Sequence, residues 1–149
     1  MVFLDPTMQS KPVAKVTTQT QAVQAQPGSR QTTKAKGDAA EAAALDFLQA
    51  QGLRLLQRNY RTPGRGGGEI DLILQESDST VVFVEVRKRS LARFGGAMAS
   101  VDRTKQRRLI FAARYFLSRW RQLPPCRFDV IAWEPGGMVW MKAAFDAGT

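Results

Sequence analysis

Two acidic residues stand inside runs otherwise made largely of Val, Ile, Leu and Phe. Asp71 lies in Gly68-Glu69-Ile70-Asp71-Leu72-Ile73, and Glu85 in Val82-Phe83-Val84-Glu85-Val86-Arg87. A charge in a buried run is costly unless something answers it. The 149-residue chain has no histidine and a single cysteine, Cys126. That excludes Ser-His-Asp and Cys-His catalysis, histidine-ligated metals, cysteine zinc clusters and an internal disulfide. Chemistry is left to carboxylates, hydroxyls, lysine and arginine. Strand side chains alternate faces, so Glu69, Asp71 and Ile73 share one side of their strand. Val81, Phe83, Glu85 and Arg87 likewise share one side of the next. The turn-like Glu76-Ser77-Asp78-Ser79 between them predicts an antiparallel pair, with Asp71 opposite or diagonal to Glu85. Ionised carboxylates so placed repel unless one is protonated or a cation lies between them. Their oxygens suit Mg²⁺ or Mn²⁺, and Arg87 could hold a phosphodiester beside them. In an ordinary sheet Glu85 and Arg87, with Glu69, would serve equally as cross-strand salt bridges.

A third carboxylate comes from a helix. Asp38 reads as the N-cap of an Ala-rich helix running to about residue 51, with Gly52 at the C′ position. Leu45 and Leu48 mark its apolar stripe, and Glu41, four residues before Leu45, lies on the same face. Glu41 is either a site acid or a first-turn glutamate favoured by the helix dipole. Residues 53–60, 69–74 and 80–87 read as strands. The loop Thr62-Pro63-Gly64-Arg65-Gly66-Gly67-Gly68 lacks the Lys-Ser/Thr ending of a P-loop, so it reads as a connection with Arg65 as a candidate phosphate contact. A long helix follows over about residues 102–122. Leu109, Ala113, Phe116, Leu117 and Trp120 form its apolar face, and Arg103, Arg107, Arg114 and Arg121 project from the other side. Pro124-Pro125 stops it. Residues 127–133 and 138–142 close the domain as two strands, with Phe128, Trp133, Trp140 and Met141 read as packing residues. The order α-β-β-β-α-β-β predicts an α/β fold, a mixed sheet flanked by helices.

The net charge of +9 is unevenly spread. Residues 87–121 hold eleven basic residues and only Asp102 as an acid. A block this cationic attracts polyanions, because each phosphate neutralised releases condensed counterions. Candidate nucleic-acid contacts are Arg65, Arg89, Arg103, Lys105, Arg107 and Arg114. Residues 1–36 are rich in Gln, Thr, Lys and Ala, and read as a disordered basic tail before a folded domain over 37–149. No apolar run approaches the ~20 residues that span a bilayer, so a cytoplasmic protein without membrane contact is expected.

The two acidic motifs, with Lys105-Gln106-Arg107-Arg108-Leu109 and Cys126-Arg127-Phe128-Asp129-Val130 in register behind them, resemble the YraN family over about residues 37–145. That family is similar in its core to Holliday-junction resolvases and restriction endonucleases of the PD-(D/E)xK type. The resemblance implies a restriction-endonuclease-like core, Asp71 and Glu85 as metal ligands, Glu41 as the helix-borne acid, and Arg87 at the motif's lysine position. Arginine there departs from the pattern: lysine can lose a proton, whereas arginine stays charged and offers a fixed donor fork.

Two functional classes follow. One is a Mg²⁺- or Mn²⁺-dependent endonuclease on DNA, including branched DNA, with Glu41, Asp71, Glu85 and Arg87 as its catalytic residues. The other is a non-catalytic DNA- or RNA-binding protein that keeps a residual site. An assembly factor binding RNA or a protein partner is a third possibility, and a homodimer has no support in the sequence. Binding depends on the cationic block alone. Changing Arg107 and Arg114 to Glu therefore weakens DNA binding and flattens its dependence on salt, which anisotropy titrations over a salt series would measure.

Overall fold

The computed structural model describes residues 32–88 and 101–148, and Gln31–Thr149 form one compact unit. Its first element is α1 (Thr33–Ala50). The helix starts five residues before the predicted Asp38 cap. Thr32 is the N-cap instead, its hydroxyl accepting the Ala35 N–H at 3.2 Å. Residues 33–36, assigned from composition to the disordered tail, are thus the first turn of α1. They carry no large apolar side chain, and the turn is held by its cap and by Lys88, whose Nζ donates to the Thr33 carbonyl at 3.0 Å. The rest of that tail, residues 1–31, lies outside the described residues, and so does Arg89.

Five strands follow in two groups. These are β1 (Arg54–Arg61), β2 (Glu69–Gln75) and β3 (Val81–Arg87), then, after α2 (Arg103–Leu117), β4 (Cys126–Glu134) and β5 (Gly137–Phe145). They form one sheet in the order β1-β2-β3-β4-β5. All neighbours are antiparallel except β3 and β4, whose parallel pairing needs the α2 crossover. The predicted α-β-β-β-α-β-β order and mixed sheet are therefore present. Helix α2 is shorter than predicted. It ends at Leu117, where the Ser118 hydroxyl donates to the Tyr115 carbonyl at 2.7 Å. The chain turns there, and the Trp120 ring still meets Phe116, with centroids 6.2 Å apart.

Strand alternation sorts the two layers. Leu72, Leu74, Val82 and Val84 pack with Ala44, Leu45 and Leu48 of α1. Ile73, Val81 and Phe83 pack on the opposite face with Leu109, Ala112, Ala113 and Leu117 of α2. Asp71 and Glu85 share the parity of Ile73 and Phe83, so they belong to the α2 face. The Cys126-to-Val130 motif is structural. Asp129 is fully buried in β4 and accepts from Arg127 Nε (3.0 Å), Trp140 Nε1 (2.9 Å) and the Ala143 N–H (2.9 Å), bracing the irregular stretch of the β4–β5 pairing.

The glycine-rich loop works by close approach. Thr62 N–H donates to the Gly68 carbonyl at 3.0 Å and Gly68 N–H to Thr62 Oγ1 at 2.8 Å, which closes the loop. At Gly68 the α2 backbone passes so near that a Cβ would collide with the Arg108 carbonyl oxygen and press on Ala112. Gly68→Ala should therefore push α2 off the sheet and lower stability by about 1–3 kcal/mol, read as a fall in thermal midpoint. Gly67→Ala, which meets Thr62 instead of α2, should leave the α2 contacts intact by proton chemical shifts.

Candidate active site

The β2–β3 ladder runs from Gln75↔Val81 to Leu72↔Val84 and stops there, although both strands continue. Beyond that point β2 stays paired to β1 through Arg61↔Glu69, and β3 to β4 through Arg87↔Ala132. The sheet forks at Asp71 and Glu85. Asp71 Oδ2 accepts the Val86 N–H at 2.8 Å, so a side chain supplies what the lost strand pairing would have supplied. Glu85 is 4% exposed. Its Oε2 lies 3.2 Å from Lys105 Nζ of α2, an ion pair whose angle falls short of a hydrogen bond. Arg87 Nε stands 3.8 Å from Glu85 Oε1. The predicted juxtaposition of Asp71, Glu85 and Arg87 is present.

The electrostatics follow from this crowding. Burial, and then the negative charge of Asp71, push the Glu85 carboxyl up to about 7, against the pull of Lys105 and Arg87. Asp71 is also raised, by burial first, with the Val86 N–H and Lys105 opposing. Near neutral pH the Glu85 carboxyl is therefore only partly ionised. Glu41 is raised as well, by burial and then by Asp71 and Asp38. It arrives from the α1 layer, opposite the face that carries Glu85. It lines a cleft of about 440 Å³ with Lys34, Asp38, Asn59 and Glu69. Among the described residues no three Asp, Glu or Cys side chains form a group that could hold a metal ion. The three-carboxylate cluster expected from sequence is thus a close pair plus a third acid that feels the charge of Asp71 across the fork.

The oxygens that remain still suit a hard divalent cation. Glu41 Oε2 and Glu85 Oε2 are buried without a hydrogen-bond partner, and only one oxygen of Asp71 is committed to the backbone. Glu69 is held by Arg61 at 3.0 Å, the cross-strand salt bridge that the alternation allowed.

Lys105, a candidate nucleic-acid contact in the sequence, faces the fork and Glu85. It turns inward because it lies four residues before Leu109, on the buried side of α2. That spacing was visible in the sequence and is the signal that could have found it. Arg103, Arg107 and Arg114 are exposed on the opposite side of α2, and Arg65 is exposed on its loop.

The sequence model of Uncharacterised protein family UPF0102 matches residues 40–133, which include the fork, Lys105 and β4. The chain belongs to the UPF0102 family. This is the family that the motif resemblance named as YraN, and a restriction-endonuclease-like core is consistent with it. A UPF0102 protein of Albidiferax ferrireducens is 65% identical over 116 residues, covering 78% of this chain and 91% of that one. Those of Paracidovorax citrulli (61% over 117 residues; 78% and 87%) and Methylibium petroleiphilum (52% over 119; 78% and 98%) are also similar. Among the described residues, no helix of this UPF0102 chain is long and apolar enough to cross a membrane.

The raised Glu85 carboxyl makes stability depend on pH. Below 4.5 the acid is neutral in both folded and unfolded chains. From there to about 7 the unfolded chain ionises freely while the folded one keeps its proton, so stability falls across that window. Glu85→Gln should raise stability at pH 8 by ~1–3 kcal/mol, read as a higher thermal midpoint. The gain should vanish toward pH 4.5 in melting curves taken over a pH series.

Proposed function

We propose that this UPF0102 protein is a divalent-metal-dependent endonuclease acting on DNA, with branched DNA among its substrates. The observation that carries this reading is the pair of raised carboxylates at a forked sheet, faced by a lysine from the helix that bears the exposed arginines. Asp71 and Glu85 would hold Mg²⁺ or Mn²⁺, with Glu41 the third acid within electrostatic reach. Such an ion, when bound, supplies Lewis acidity at a phosphoryl group.

The remaining steps belong to the chain. Asp71 is oriented by the Val86 N–H and cannot swing out of the fork. Lys105 and Arg87 flank Glu85 and can each meet a non-bridging phosphate oxygen, stabilising charge that builds as water attacks phosphorus and the opposite P–O ester bond breaks to release a sugar hydroxyl. Lys105 also supplies what arginine at position 87 lacks, an amine able to exchange a proton. Arg103, Arg107 and Arg114 hold flanking phosphates and set the register of the backbone without reading sequence. The pairing of only two close carboxylates favours a second reading, a nucleic-acid-binding protein whose site no longer turns over.

Incubation with junction, flap, duplex and single-stranded DNA in Mn²⁺ separates the two. Asp71→Asn and Glu85→Gln should each reduce cleavage by at least ~10²-fold, and Lys105→Met by a similar factor. Retention of charge in Lys105→Arg should restore binding more than cleavage. Mn²⁺ should also raise the thermal midpoint of the parent protein by mass action, and not that of Asp71→Asn. Binding to every substrate without cleavage would establish the second reading, and cleavage surviving both acid substitutions would remove the fork from the chemistry.

A further inference from the structure

Helix α2 has two unlike sides. Leu109, Ala112, Ala113 and Leu117 are buried against the sheet, and Lys105 reaches Glu85 from the same side. The opposite side carries two large rings, Phe111 at 51% exposure and Tyr115 at 37%. These lie one turn apart, on one face. Arg103, Arg107, Arg108 and Arg114 surround them, all exposed, and the helix contains no acidic residue. The core does not use these rings. Tyr60, Phe83, Phe116, Trp120, Phe128 and Phe145 form a connected set of ring contacts, and among the described residues neither Phe111 nor Tyr115 belongs to a ring pair.

A lone exposed phenylalanine needs no explanation. Two rings at helical spacing among four guanidiniums form a surface with a defined complement, flat π faces joined by regularly spaced negative charge. We propose that this face of α2 is a stacking platform for unpaired nucleobases, binding a single-stranded stretch of nucleic acid beside the carboxylate fork. The proposal deepens the nuclease reading, on which it rests for the position of the cleaved bond. The rings would stack on bases while the arginines neutralise adjacent phosphates. Duplex DNA, whose bases are already stacked, satisfies the arginines only. A second copy of this face would set arginine against arginine, so self-association through it is disfavoured. Phe111 is six residues from Lys105, ~9 Å along the helix axis. A strand held on the rings therefore passes partway round α2, itself ~10–12 Å across, and reaches the fork several nucleotides beyond them.

The test uses binding of the full chain in EDTA, so that it does not depend on cleavage. Anisotropy is recorded with a fluorescent single-stranded oligonucleotide and with the duplex of the same sequence. Phe111→Leu and Tyr115→Leu together keep the apolar area but remove both π faces. They should weaken single-strand binding about tenfold or more while leaving duplex binding and the salt slope unchanged. Phe111→Trp, which enlarges the ring, should tighten single-strand binding. Arg107→Ala should weaken both ligands and flatten the salt slope. The platform is refuted if the leucine pair binds single strands within twofold of the parent, or loses single-strand and duplex affinity equally. It is equally refuted if polyglutamate competes as well as the oligonucleotide, since the surface would then be an ion exchanger. Failure of the nuclease reading alone would appear as no cleavage with the single-strand preference intact.

Discussion

The Asp71 carboxylate and the Val86 N–H make the bond on which the site depends. Where β2 and β3 part, one edge donor would be left buried without a partner, at a cost comparable to a lost hydrogen bond. Asp71 meets that requirement with a side chain instead of a neighbouring strand, so the sheet can open without leaving that donor unpaired. The opening then holds a second acid, Glu85, which burial and the nearby Asp71 charge keep close to its protonated form. Each carboxylate shapes the other. Asp71 satisfies the donor at the fork, and strand parity sets Glu85 on the α2 face, within reach of Lys105.

Two buried acids in adjacent strands differ in how completely their oxygens are met. Asp129 sits beside Val84 in the β3–β4 register and is met by a guanidinium, an indole and a backbone N–H. Nothing in its surroundings calls for an added ion. Glu85, one residue further along β3, keeps a buried oxygen without a hydrogen bond, as does Glu41. Buried polar atoms are nearly always paired in folded proteins, so these two oxygens set the fork apart from the fully satisfied Asp129. Beyond their apolar packing, α1 is tied by Lys88 on the Thr33 carbonyl, while α2 comes close over the bare backbone of Gly68 and pairs Lys105 with Glu85.

Much of the α/β order was legible because it rests on local periodicity. The alternation in residues 69–74 and 81–87 placed Asp71 and Glu85 on a common face, and the antiparallel register bears this out. The strand boundaries were close. The longest miss was β5, which continues to Phe145 beyond the predicted residue 142. Both helix ends that differ do so for capping reasons that composition hides. Thr32 starts α1 within a stretch with no large apolar side chain, and Ser118 ends α2 while the apolar spacing continues to Trp120. The family, too, was readable in four short motifs.

Residue types alone confined the chemistry to carboxylates, hydroxyls and cations, and the strand period decided which side chains point together, because that period is a property of the backbone. The layers decided the rest. Glu41 comes from the face opposite Glu85, and Lys105 turns inward although it lies in a run of outward arginines. The spacing to Leu109 gives the side of α2 on which Lys105 lies, but what each of these two side chains meets is not written in any local stretch of residues. Each depends on which face of the sheet a helix covers and how closely it comes, and that is settled only when the two cores pack.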